Sequence, residues 1–140
     1  PIVKWLIGEQ SIRGIIGRLE DWTISSLYDC GISAYKDPKM QGAWVDGHKV
    51  CSIGLSFLHW VSRHGMSINI ETPGKRVEEL KGCGMDSGIH TSLSRLGYSK
   101  DTSGERIDRD RVEGALLDNC ERHLGRKPSK PIEWAPGMLI

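Results

Sequence analysis

VDGHKVCSIGL, Val45 to Leu55, is the stretch on which the fold turns. Asp46-Gly47 is a strong short signal for a tight hairpin, because both central positions of such a turn favour residues that tolerate positive φ. The flanking runs, AWV before and HKVCSIGL after, are β-favouring. Strict alternation along the second run places Lys49, Cys51 and Ile53 on one face and Val50, Ser52 and Gly54 on the other. A third strand is expected over HGMSINIE, His64 to Glu71, where Met66, Ile68 and Ile70 alternate with Ser67 and Asn69.

Working outward, residues 11–30 read as an amphipathic helix. Ile12, Ile15, Ile16, Leu19, Trp22 and Leu27 recur at mostly helical spacing, and Gly31 is a stop signal. DPKMQG, Asp37 to Gly42, reads as a loop. PGKRVEEL reads as a short helix with Pro73 near its first turn, and KGCG as a turn. A last helix is expected from Asp108 to Leu124, with Val112, Leu116, Cys120 and Leu124 on one stripe and Gly125 beyond its end. The tail, about residues 126–140, carries three prolines and reads as irregular. The expectation is one α+β domain over residues 1–140, a largely antiparallel sheet with flanking helices. Three strands make a thin sheet, so the fold is expected to lean on strands outside these residues.

The 140 residues are 38% hydrophobic and 26% charged, with net charge +1. Acidic and basic residues are interspersed, which gives no electrostatic footprint for nucleic acid. No apolar run has membrane-spanning length, and no targeting segment is seen at the start. The four cysteines form no CxxC, and the five histidines show no HxH or HxxxH spacing, so no metal is expected. Cys30 and Cys120 read as small buried apolar residues.

Lys49 and Cys83 are the residues with chemical potential. Separately, Lys49 reads as a solvated surface charge and Cys83, between Gly82 and Gly84, as structural. Together they suggest acyl transfer through a thioester. A free thiol, with a pKa of about 8.5, holds little thiolate at neutral pH. A lysine can stabilise the thiolate or take its proton. The glycines leave backbone N–H groups open to a developing oxyanion.

The ordered series WVDGHKVCSIGL, HGMSIN, GCG and TSLSRLG resembles the C-terminal half of lipoyl(octanoyl) transferases. In that family the same region carries G-x-[WY]-V…K-[IV]-x-[AS]-[IL]-G, HG-[FL]-[AS]-[LI]-N, a PCG turn and a TSL segment. The similarity covers about residues 12–97, and PIVKW resembles the segment after the family's HGPGQ motif. The resemblance implies a fold like that of biotin and lipoate transferases and ligases, lacking its N-terminal part. It implies Cys83 as the acyl-accepting nucleophile and Lys49 as the group that lowers its pKa and moves its proton. Ser52, Ile53 and Gly54 match one substrate-contacting segment, and Gly65, Met66 and Ser67 match another. The implied donor is octanoyl-acyl carrier protein. The implied acceptors are lysines of lipoyl domains in 2-oxoacid dehydrogenases and of the glycine cleavage H protein. No cofactor is implied, because the donor thioester is already activated. The implied compartment is bacterial cytoplasm, or the mitochondrion in a eukaryote. Gly82 stands where the family has proline, and the family's RGG…HGPGQ motif does not occur in these residues. The isolated chain is therefore expected to be weakly active or inactive. The competing readings are an ATP-dependent lipoate-protein ligase and a non-catalytic module that binds a lipoyl domain or carrier protein.

Overall fold

The computed structural model describes residues 1–79 and 88–130. Its elements are β1 (Val3–Lys4), α1 (Ile12–Asp29), β2 (Tyr35–Asp37), β3 (Met40–Val45), β4 (His48–Leu58), β5 (Val61–Ile68) and α2 (Arg109–Leu124). The five strands form one antiparallel sheet in the order β1-β5-β4-β3-β2. The α+β expectation holds, with two more strands than the sequence suggested. Among the described residues no helix is long and apolar enough to cross a membrane.

The Asp46-Gly47 hairpin forms as read. Val45 pairs with His48, and both turn residues have positive φ, 49° and 81°. A second tight turn was not legible. His59 and Trp60, at φ 48° and 60°, join β4 to β5 with Leu58 opposite Val61. Neither is a customary residue for that conformation, so β5 begins three residues before the expected His64 and ends at Ile68. The expected loop over Asp37–Gly42 is instead a tight reversal. Asp37 pairs with Met40, and the Asp37 carboxylate accepts from Lys39 N–H at 2.8 Å. That side-chain bond stabilises the turn, and Met40 to Gly42 become β3. PGKRVEEL forms turns rather than a helix over its described residues, with one helix-like bond from Glu79 N–H to Lys75 O at 3.0 Å. Leu80 lies outside the described residues.

The two long helices match their sequence signals. Ser11 caps α1 by accepting from Gly14 N–H, and Cys30 closes it before Gly31 at φ 77°. Asp108 caps α2, and Gly125 ends it in the left-handed conformation at φ 67°. Ile15, Leu19, Trp22 and Leu27 of α1 are buried, as are Val112, Cys120 and Leu124 of α2. They pack with Ala43, Val45, Val50 and Cys51 of the sheet and with Val3 and Trp5 of the first segment. Each Val, Ile or Leu among them contributes about 1.5–3 kcal/mol when taken from water. Trp22 Nε1 donates to Leu116 O at 2.7 Å and fixes the crossing of the two helices. Both helices therefore cover one face of the sheet.

Glu9 ties the first segment to the end of α2. It pairs with Arg126 and, at 3.1 Å, with Arg18, and accepts from Leu6 N–H at 2.9 Å. Arg126 also lies over the Trp5 ring, 5.2 Å from its centre. The Arg126 hydrogen bond, with that of Leu6, brings the Glu9 carboxyl down to about 2. A depressed carboxylate stabilises the fold above its unfolded value of 4.5 and loses that stabilisation as pH falls toward 2. Glu9→Gln is expected to melt lower than the parent at pH 7, the gap closing as pH falls from 4.5; thermal unfolding at stepped pH measures it.

Candidate functional site

The β4–β5 register joins the two segments singled out in the sequence. Ser52 lies opposite Ser67, Ile53 opposite Met66, and Gly54 opposite Gly65. All six residues thus form three consecutive cross-strand pairs. Ile53 and Met66 turn toward the core and pack against it. Thr23 Oγ1 of α1 also donates to the Met66 sulfur at 3.1 Å. Ser52, Ser67 and Gly54 belong to the sheet face away from the helices. The Gly65 Cβ position is closed by Pro1, whose ring would stand 3.0 Å away.

Lys49 corrects the alternation read from sequence. Ala43 pairs with Cys51, but the next β3 residue, Trp44, pairs with Lys49. One step on β3 therefore spans two on β4, and Val50 is the extra residue of a β-bulge. Paired residues share a face and successive strand residues alternate. Lys49 is consequently opposite Cys51 and shares the outer face with Ser52 and Gly54. Val50 and Cys51 both enter the core.

Lys49 is only 7% exposed, so the bulge buries a long amine rather than leaving it in solvent. Gly42 makes the space. A Cβ there would lie 2.8 Å from Lys49 Cε and 2.2 Å from the Cys51 carbonyl oxygen. Gly42 also holds φ 134°, a conformation glycine adopts without a side-chain clash. Its N–H is anchored by Glu20 of α1, whose Oε1 accepts at 2.9 Å.

The far side of Lys49 is occupied by residues 88–91. Lys49 N–H donates to Ile89 O at 2.8 Å, and Thr91 N–H donates to Lys49 O at 3.1 Å. His90 is thereby the parallel bridge partner of Lys49, with its side chain on the same face. Gly88 N–H donates to Glu78 O at 2.9 Å, and Thr91 Oγ1 donates to Glu78 Oε1 at 2.8 Å. The described residues on both flanks of Leu80–Ser87 are thus fastened together beside Lys49. Cys83 itself, with its GCG turn, lies outside the described residues. Burial, and next the charge of Lys49, hold the His90 imidazole below its ordinary value. His90 and Gly42 were not singled out in the sequence. A strand glycine is a signal for close backbone approach, whereas His90 joins Lys49 only through a tertiary bridge.

The three described cysteines do not offer a nucleophile. Cys30, Cys51 and Cys120 are buried and free. Burial pushes the Cys51 thiol up to about 11 and raises the other two. An open groove of about 870 Å³ lies between β5 and α2, lined by Met66, Ile68, Ile70, Val112 and Leu116. It is on the helix side of the sheet, away from Lys49. Among the described residues no group of three His, Cys, Asp or Glu could hold a metal ion.

The model of the lipoyl protein ligase A/B catalytic domain matches residues 2–120. The chain belongs to that family. An octanoyltransferase of Syntrophobacter fumaroxidans is 35% identical over 109 residues, 78% of this chain and 47% of the relative. Another, from Pelobacter propionicus, is 34% identical over 125 residues, 89% of this chain and 54% of the relative. A third, from Thermoanaerobacter sp., is 30% identical over 124 residues, 89% and 50%. This chain of the lipoyl protein ligase A/B family spans about half the length of the curated relatives it matches.

Gly42→Ala tests how Lys49 is seated. The added methyl meets a backbone oxygen that cannot swing aside, so we expect a loss of about 2–3 kcal/mol. Gly47→Ala, also at positive φ but with nothing within 4 Å, is expected to cost about 1 kcal/mol. Denaturant unfolding of both variants measures the difference, and equal losses would show that the close approach of Gly42 to the Cys51 carbonyl and the Lys49 stem is not tight.

Proposed function

We propose that this chain carries the catalytic residues of an octanoyltransferase. The reading is carried by the juxtaposition at Lys49: a buried amine on the same face as Ser52, Ser67 and Gly54, next to the fastened flanks of the Cys83 segment. The names of the similar proteins agree with it.

In this reading Lys49 takes the Cys83 thiol proton, and the thiolate attacks the thioester carbonyl of octanoyl-acyl carrier protein. A C–S bond to Cys83 forms and the carrier's C–S bond breaks. The carrier thiolate leaves with the proton from Lys49. One thioester replaces another, so the step is nearly balanced. A lysine of a lipoyl domain, in a 2-oxoacid dehydrogenase or the glycine cleavage H protein, then takes the acyl group as an amide, which runs downhill. Ser52, Ile53, Gly54, Gly65, Met66 and Ser67 form the substrate wall. Chain-length selection follows from burial, at about 0.8 kcal/mol per methylene. No cofactor enters either step. The same family includes ATP-dependent ligases, for which an acyl-cysteine is unnecessary.

The test is intact-mass spectrometry after incubation with octanoyl-acyl carrier protein. We expect slow formation of a hydroxylamine-labile octanoyl adduct, absent from Cys83→Ser and slowed about 10²-fold or more in Lys49→Met. Parent adduct that resists hydroxylamine, or acylation that needs ATP and survives Cys83→Ser, overturns the reading.

A further inference from the structure

Charges that alternate along the sequence are sorted by the fold. We propose that the end of the molecule built from β1, the β4–β5 turn and the start of α1 is a peripheral docking surface for an anionic lipid bilayer. It stands apart from the candidate site, because about 30 Å of β4 separates Leu58 from Lys49. The inference therefore does not rest on the thioester reading.

Three observations carry it. The first is where the exposed apolar residues lie. Lys4 pairs with Val61, and Trp5 N–H donates to Trp60 O at 2.9 Å. Trp5 also packs with Ile15 of α1, Leu124 of α2 and Phe57 of β4, so these elements meet at one end of the molecule. Ile2, Leu6, Ile7, Ile12, Leu58 and Trp60 are gathered there, six of the nine large apolar residues that are exposed among those described. Ile7, 95% exposed, stands in the turn that Glu9 N–H closes on Leu6 O. Scattered single residues of this kind are ordinary, whereas a cluster rimmed by charge marks an interaction site.

The second is the charge of that rim. Residues 1–18 and 55–64 hold Lys4, Arg13, Arg18 and Arg63 against a single acid, Glu9. Glu9 is consumed by Arg18, Arg126 and Leu6 N–H. Lys4, Arg13 and Arg63 are exposed and, among the described residues, make no ion pair. Arg126 fastens the end of α2 to Glu9 and brings Arg122, Lys127 and Lys130 with it, against Glu121 alone. The third is shape. The apolar side chains cap two turns, which suits a surface that yields around them. Trp60 lies edge-on to Phe57, with ring centres 6.0 Å apart, and presents a partly exposed amphipathic ring of the kind that settles at headgroup level. A protein strand added at this edge would find only the two residues of β1 to pair with. The combination of cations, protruding aliphatic side chains and an interfacial tryptophan therefore fits a bilayer better than a protein groove or edge.

The experiment is vesicle flotation of the whole chain. Vesicles of phosphatidylcholine alone are compared with vesicles in which about one lipid in three is phosphatidylglycerol. We expect binding to the anionic vesicles only, lost in about 0.5 M salt, which screens the headgroup charge. Lys4→Gln combined with Arg63→Gln should bind about 30-fold more weakly, at roughly fivefold for each cation removed. Ile7→Ser should weaken binding about tenfold. Tyr28→Ser, an exposed ring in the last turn of α1 at the opposite end, should bind as the parent does. Failure of the parent to bind anionic vesicles overturns the proposal, as does binding that the Lys4, Arg63 and Ile7 variants leave unchanged. Retention on a polyglutamate resin without vesicle binding assigns this end to an acidic protein and overturns it too. A dimer in sedimentation velocity that Ile7→Ser dissociates, again without vesicle binding, assigns the surface to a second copy of the chain, with the same result.

Discussion

A single extra residue in β4 governs on which face of the sheet Lys49 sits. With Ala43 opposite Cys51 and Trp44 opposite Lys49, Val50 has no partner of its own. Without that bulge Lys49 would follow Cys51 into the helix-covered core, among Leu27, Ala43 and Val112. A long amine there would stand among apolar side chains, with no carboxylate in the cluster. The bulge sends Val50 inward in its place. An apolar side chain fills the core, and the amine emerges on the opposite face. Gly42 completes the device by leaving the volume that the lysine stem occupies.

That device explains what could and could not be read in the sequence. Asp46-Gly47 fixes the hairpin through backbone preference, which is local and therefore legible. The helix caps Ser11, Asp108 and Gly125 are local in the same sense. Period-two alternation is also local, but it assumes an unbroken pleat, and the assumption fails at Val50. The same reasoning missed the His59-Trp60 turn, where strand pairing imposes positive φ on residues that do not favour it. Lys49 was legible as a residue type, Ser52 to Gly54 and Gly65 to Ser67 as motif segments. Their convergence required the β4–β5 register, and the place of His90 required residues 88–91 to dock where β5 leaves the sheet.

The departure of β5 is itself a constraint with consequences. β5 pairs with β4 only as far as Ile68 opposite Cys51, after which Asn69 N–H still reaches Val50 O at 2.8 Å. Beyond that point Lys49 would have an unpaired edge. Ile89 and Thr91 fill it, and Leu93 N–H and Ser94 N–H in turn bond Asn69 O and Ile70 O at 2.9 and 3.0 Å. Residues 89–94 are therefore woven into the sheet rather than resting on it. Buried Leu93 adds apolar anchorage to those backbone bonds. Precise placement of a reactive group needs such support, because a small misplacement costs much of the rate.

The Ile53–Met66 pair couples this site to the protein's stability. Both residues pack against both halves of the core, and Met66 also accepts from Thr23 of α1. Their strand neighbours, Ser52 and Ser67, face the other way. Any shift of α1 that repacks Met66 therefore tilts the serine pair and, through Gly42 and Glu20, the lysine pocket as well. Helix α1 thus holds the site at two points, one apolar through Met66 and one polar through Glu20. Two such fixings, on β5 and on β3, leave the intervening β4 little freedom to rotate. The packed layer beneath thus fixes the strand that carries Lys49.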